Sequence, residues 1–91
     1  PEIVAALLKC GCRVVDLTRV GGVIKIYPDG ETNGLPDLLV WRAGRCFMLE
    51  CKTSGGKLSP NQRKFAEQWN GCTFTVHTPE EALIAVGAVS G

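Results

Sequence analysis

Gly34-Leu35-Pro36-Asp37-Leu38-Leu39-Val40-Trp41 and Cys46-Phe47-Met48-Leu49-Glu50-Cys51-Lys52 are two apolar runs of strand length, separated by Arg42-Ala43-Gly44-Arg45. Residues of this kind, interrupted by a short turn-forming segment, predict a β-hairpin. An acid opens the first run, and an acid and a lysine close the second. These charges lie in the most hydrophobic part of the chain, where an ionised group is costly unless it has a partner or a task. If Trp41 faces Cys46 across the turn, Asp37 falls directly opposite Glu50. Side chains alternate along a strand, so Glu50 and Lys52 share a face, and Asp37 joins them there. The opposite face, Leu38, Val40, Phe47, Leu49 and Cys51, is an uninterrupted core surface. On the charged face, Leu39, Trp41, Cys46 and Met48 are expected to pack under a helix.

Opposed carboxylates destabilise a strand pair. Three arrangements offset that repulsion: one acid is protonated, Lys52 neutralises them, or a divalent cation binds between them. Mg²⁺ is commonly held by one or two carboxylates together with water and phosphate oxygens. Beside such a site, Lys52 can orient water or offset transition-state charge. Without a cation it is a rim lysine paired to Glu50, which contributes little.

Outward from the hairpin, Ile3, Ala6, Leu7 and Cys10 recur at helical spacing and Gly11 ends that helix. Glu2 in its first turn complements the helix dipole. Arg13 to Thr18 is rich in β-forming residues, and Val23 to Tyr27 reads as a second strand before a turn at Pro28-Asp29-Gly30. After the hairpin, Thr53 to Lys57 is a flexible loop with a basic tip. Ser59-Pro60-Asn61-Gln62 carries a Ser cap, Pro at the first helical position and Gln at the capping-box position. This helix runs to about Asn70, with Phe65, Ala66 and Trp69 as its apolar face and Gln62 on the same side. Thr73 to Val76 alternates as a strand, and Thr78-Pro79-Glu80-Glu81 opens a last helix. The predicted order is α-β-β-β-β-α-β-α.

The chain of 91 residues, 45% hydrophobic, is expected to form one domain, residues 1–91, with a modest core. No apolar stretch reaches the roughly 20 residues needed to span a bilayer. No secretory leader pattern opens the chain, whose start at Pro1 suggests trimming. The five cysteines are odd in number and contain no C-x-x-C, so neither a disulfide framework nor a zinc ribbon is supported. Cys10, Cys12, Cys72 and His77 do not have the spacing of common zinc motifs. Cys46 and Cys51 read as small buried hydrophobes, and reduced thiols fit a cytoplasmic protein. A net charge of +1 and a pI near 8.1 permit a nucleic-acid partner without announcing one. Any phosphate footprint must come from local clustering of basic residues.

Pro36-Asp37 followed by Glu50-Cys51-Lys52 resembles the PD-(D/E)xK nuclease signature. The wider run is more specific: Gly34 two residues before Pro36-Asp37, then Leu58-Ser59-Pro60-Asn61-Gln62 opening the next helix. It is similar to the VRR-NUC branch of that superfamily, from the first helix to about Trp69. The resemblance implies a restriction-endonuclease-like α/β core, a central mixed sheet flanked by helices, hydrolysing DNA phosphodiesters with Mg²⁺ or Mn²⁺. Asp37, Glu50 and the Cys51 carbonyl match the metal-ligand positions, Lys52 the catalytic lysine, and Gln62 the supporting glutamine. Glu2 is the candidate for the glutamate that family members often carry on the first helix. Cys51 departs from the aliphatic residue usual between the acid and the lysine.

A chain with little room beyond the nuclease core is expected to dimerise, and a twofold pair of sites suits Holliday-junction resolution in a bacterial or phage-infected cell. The alternatives are a monomeric flap or nicking nuclease and a catalytically silent DNA-binding module. Lys57, Arg63 and Lys64 are the candidate DNA contacts.

Overall fold

The structure, a computed structural model, describes residues 2–19, 24–28 and 34–90. The opening helix α1 (Glu2–Lys9) carries its acid in the first turn and Lys9 in the last, matching its dipole at both ends. Gly11, at φ +83°, turns the chain back into β1 (Arg13–Asp16), followed by a 3₁₀ turn at Leu17–Arg19. The hairpin strands are β2 (Leu38–Arg42) and β3 (Arg45–Cys51). Helix α2 (Pro60–Gln68) leads to β4 (Thr73–Val76), and α3 (Pro79–Ala85) follows.

The hairpin register is the one the sequence predicts, with Trp41 opposite Cys46. Pairing continues one step further, Arg42 opposite Arg45, leaving a two-residue turn. Ala43 and Gly44 both have positive φ (51° and 81°), as a tight turn matched to strand twist requires. The four strands form one mixed sheet in sequential order: β1–β2 and β2–β3 are antiparallel, and β3–β4 are parallel across the α2 crossover.

One face of this sheet is closed. Leu38, Val40, Phe47, Leu49 and Val76 are buried on it together with Leu7, Ala82 and Val86. Removing such side chains from water is the main stabilising term of a fold this small. The other face is only half covered. Phe65 of α2 is buried and stacks on Trp69 at 5.5 Å, but Trp41 is 43% exposed and Val15 48%. The expectation that Trp41 and Cys46 pack under a helix is therefore corrected, and Cys46 is an exposed free thiol, not a buried one. All five cysteines are free.

The expected second strand also differs. Val23 lies outside the described residues, and Ile24–Ile26 carry no strand. A strand needs a backbone ladder as well as suitable residues. Both edges of β2 are already taken by β1 and β3. The predicted turn residues Asp29 and Gly30 lie outside the described residues. The loop with the basic tip is held in a turn by a 2.8 Å bond from the Gly56 N–H to the Thr53 carbonyl.

Candidate active site

The topology gathers one end of each strand with the starts of α1 and α3. Because β2 runs antiparallel to β3, the residue before β2 lies beside the residues that close β3. The parallel β4 ends at the same place, as does β1, and α1 begins there because it runs back against β1. The result is a cleft of about 630 Å³ lined by Glu2, Asp16, Asp37, Cys51, Lys52 and His77, among others. Ligand sites in α/β sheets favour this position, beyond the carboxyl ends of parallel strands.

Asp37 does not extend the β2 ladder as a strand residue. Its backbone carbonyl accepts the Leu17 N–H at 2.8 Å, and its carboxylate Oδ2 accepts the Cys51 N–H at 2.9 Å. The side chain thus continues the pairing that the backbone leaves off, and this fixes one carboxylate against the end of β3.

Glu50 is 4% exposed, the only buried charged residue among those described. Lys52 Nζ stands 3.8 Å from its Oε2, too far for a strong charge-assisted bond, while Oε1 is buried without a hydrogen-bond partner. Burial, then the neighbouring Asp37 carboxylate, push the Glu50 carboxyl up to about 7, and Lys52 pulls in the opposite direction. An orphaned buried oxygen beside a second carboxylate is costly, and a divalent cation relieves both the desolvation and the repulsion. The donor set, hard carboxylate oxygens, fits Mg²⁺ or Mn²⁺ better than a soft metal. No group of three or more His, Cys, Asp or Glu side chains able to hold a metal occurs among the described residues. A cation here would therefore complete its shell with backbone carbonyl, water or substrate oxygens. The Cys51 thiol takes no obvious part, since burial first, then Asp37 and Glu50, push it up to about 11.

Glu2 stands on the first turn of α1 and lines the same cleft. Gln62 does not line it. Its Oε1 accepts the Ser59 N–H at 2.9 Å and its N–H donates to Ser59 Oγ at 3.2 Å, so both halves of the capping box are formed. The link from Gln62 to the site runs through Gly34. At φ +86°, a Cβ on Gly34 would collide with the backbone carbonyl of Asn61 and crowd the N–H of Gln62. Glycine therefore lets the first turn of α2 sit directly on the segment that delivers Asp37.

Lys57, in the loop before α2, and Arg63 and Lys64 on α2 are exposed and form no ion pair among the described residues. They lie outside the cleft lining. His77, Asp16 and Thr53, by contrast, line the cleft, and the sequence did not single them out for it. The β3-α2-β4 order was the available signal. A crossover helix implies parallel neighbours, and the Cys51–Val76 register then sets His77 beside Lys52.

A family model described as the VRR-NUC domain matches residues 6–78, most of the chain. Asp37, Glu50, Lys52, Gln62 and His77 fall inside the match, and Glu2 and Glu81 fall outside it. No curated protein and no solved structure matches the chain. The match implies a nuclease-type function, with DNA as the substrate class.

Proposed function

The chain belongs to the VRR-NUC family, and from that premise we propose that it is a divalent-metal-dependent DNA endonuclease whose site is built on Asp37, Glu50 and Lys52. The observation that carries this reading is Glu50, a buried carboxyl with an orphaned oxygen beside Asp37. Asp37, Glu50 and the Cys51 carbonyl would hold Mg²⁺ or Mn²⁺, with Glu2 as a further carboxylate across the cleft. Such a cation supplies Lewis-acid polarisation of the scissile phosphate and a water that deprotonates more readily.

The protein's own groups do the rest. Asp37 Oδ2 accepts the Cys51 N–H, which orients this carboxylate against the end of β3. Once Glu50 is otherwise neutralised, the Lys52 ammonium is released to orient the attacking water and offset charge on the transition state. Gln62 acts at a distance, by capping α2 against Gly34 and so holding the Asp37 segment in place. Lys57, Arg63 and Lys64 supply phosphate contacts outside the cleft.

The preferred substrate in this proposal is a branched duplex, a Holliday junction in particular, cut by a homodimer. What supports association is the half-covered sheet face, where Val15, Trp41 and Cys46 stand exposed. Large exposed apolar groups that adjoin one another mark interaction surfaces.

Cleavage of four-way junction, flap and linear duplex DNA, with and without Mg²⁺, tests the proposal. Asp37→Ala and Glu50→Ala are each expected to lower turnover by roughly 10²-fold or more, the scale of losing one main electrostatic stabiliser. Lys52→Ala should do the same with DNA binding retained. Cleavage that survives in either carboxylate variant would sink the metal assignment. Monomeric sedimentation with junction cleavage intact would remove the dimer.

A further inference from the structure

His77 is the one histidine of the chain, and it stands in the cleft with a partner that fixes its ring. Its Nδ1 lies 3.0 Å from Glu81 Oε1, and its backbone N–H donates to the same oxygen at 2.9 Å. Glu81 is itself held at the start of α3, where its N–H donates to Thr78 Oγ1 at 3.1 Å. The imidazole is thus oriented by a carboxylate that His77 itself grips at two points, on a residue whose backbone is held by the cap of α3. With Nδ1 engaged, Nε2 is the ring nitrogen left without a partner among the described residues.

The electrostatics of the cleft say what that nitrogen is suited to. Its charged lining residues are the carboxylates Glu2, Asp16 and Asp37 and the cation Lys52, with His77 beside them. A phosphodiester entering this cleft meets three acids. Lys52 is drawn toward Glu50, and Asp16 is occupied by Thr18 and Arg19. His77 is the remaining side chain in the lining that can present a positive donor. As an imidazolium it donates from both nitrogens, one to Glu81 and the other outward. The 2.9 Å bond from the Lys52 N–H to the Val76 carbonyl ties β4 to the catalytic strand, so this donor is fixed relative to Lys52.

We propose that His77, oriented by Glu81, is a phosphate-binding residue of the cleft, donating from Nε2 to a non-bridging oxygen of a backbone phosphate next to the scissile one. The assignment rests on the nuclease reading for the identity of the polyanion, but not on catalysis itself. No bond is made or broken by His77. It holds the strand while Asp37, Glu50 and Lys52 act on the neighbouring phosphodiester.

Fluorescence anisotropy with a labelled DNA junction, in EDTA and again in Ca²⁺, over a series of salt concentrations, tests it apart from cleavage. His77→Ala is expected to weaken binding roughly three- to tenfold and to reduce the salt slope by about 0.9, the share of one phosphate contact. His77→Arg should restore the slope, and Glu81→Gln should weaken binding in the same direction by less. Unchanged affinity and slope in His77→Ala would overturn the assignment. So would a lowered Tm with an unchanged slope, which is what a purely structural role in starting α3 gives. A slope that depends on His77 in a protein that never cuts DNA would support the subsite and remove the nuclease reading. Cleavage with a slope indifferent to His77 would do the reverse.

Discussion

The two faces of the sheet are made from the same kinds of residue and end in different states. Leu38, Val40, Phe47 and Leu49 are buried beneath α1 and α3, whereas Trp41 and Cys46, next to them on the same two strands, are exposed. The one side chain sealed most tightly on the second face is charged: Glu50. Apolar pattern thus identifies a strand, but the helices decide which of its faces becomes core. The closed face stores stability. The half-open face holds a buried charge at one end and a surface for partners at the other.

Three substitutions put that contrast to the test. The largest effect is expected at Leu49, fully buried at the centre of the closed face. Leu49→Ala should cost about 3–4 kcal/mol, a transfer loss plus a cavity, read from urea denaturation. A cost below about 1 kcal/mol would mean that this face is no better packed than the other.

Glu50→Gln comes next, with the opposite sign. The Glu50 carboxyl titrates near 7 in the metal-free fold, against 4.5 for an ordinary glutamate. Between those values the unfolded chain has released the proton and the folded chain still holds it. Folding stability therefore falls as pH rises through that window. By pH 8 the ionised carboxylate costs on the order of 3 kcal/mol. Glu50→Gln in EDTA should recover most of that at pH 8 and little at pH 4. Added Mg²⁺ should raise the Tm of the parent protein and leave Glu50→Gln unmoved. A parent whose metal-free stability is flat from pH 5 to pH 8 would show that burial and Asp37 do not hold the proton on Glu50.

The smallest change is expected at Trp41. Trp41→Ser on the exposed part of the second face should alter monomer stability by less than about 1 kcal/mol, as surface positions commonly do. Its visible consequence should be in sedimentation, as weakened self-association. A large loss of monomer stability would show that the face is closed after all.

Much of this was legible in the sequence. Loop length and alternation set the hairpin register, because a period of two leaves little room for error once one face must be buried. The cost of an acid inside an apolar run pointed to Glu50 before any distance was known. The Ser-Pro-x-Gln start of α2 and the Thr-Pro start of α3 follow from capping chemistry that acts within four residues. What was not legible depended on partners distant in sequence. Val23 to Tyr27 has strand-forming residues, but Ile24–Ile26 pair with no strand among the described residues. Trp41 and Cys46 have core-like identities without a cover. His77 entered the sequence reading only in a Cys/His set without zinc spacing, and it is the parallel pairing of β3 with β4 that brings it to Lys52. Gln62 sits where local chemistry puts it, in its capping box, while its connection to the site passes through Gly34.

That glycine has a mechanical consequence. With no side chain, Gly34 presses its backbone onto the carbonyl of Asn61, and only Leu35 and Pro36 separate it from the carboxylate of Asp37. A close approach this near in sequence sets how the two segments pack, because the distance between them leaves room for backbone alone. Gly34 therefore acts as a spacer of zero thickness: any side chain there would push the Asp37 segment and the first turn of α2 apart. Gly34→Ala should therefore shift Asp37 relative to Glu50 and lower cleavage even though it alters no group of the site itself.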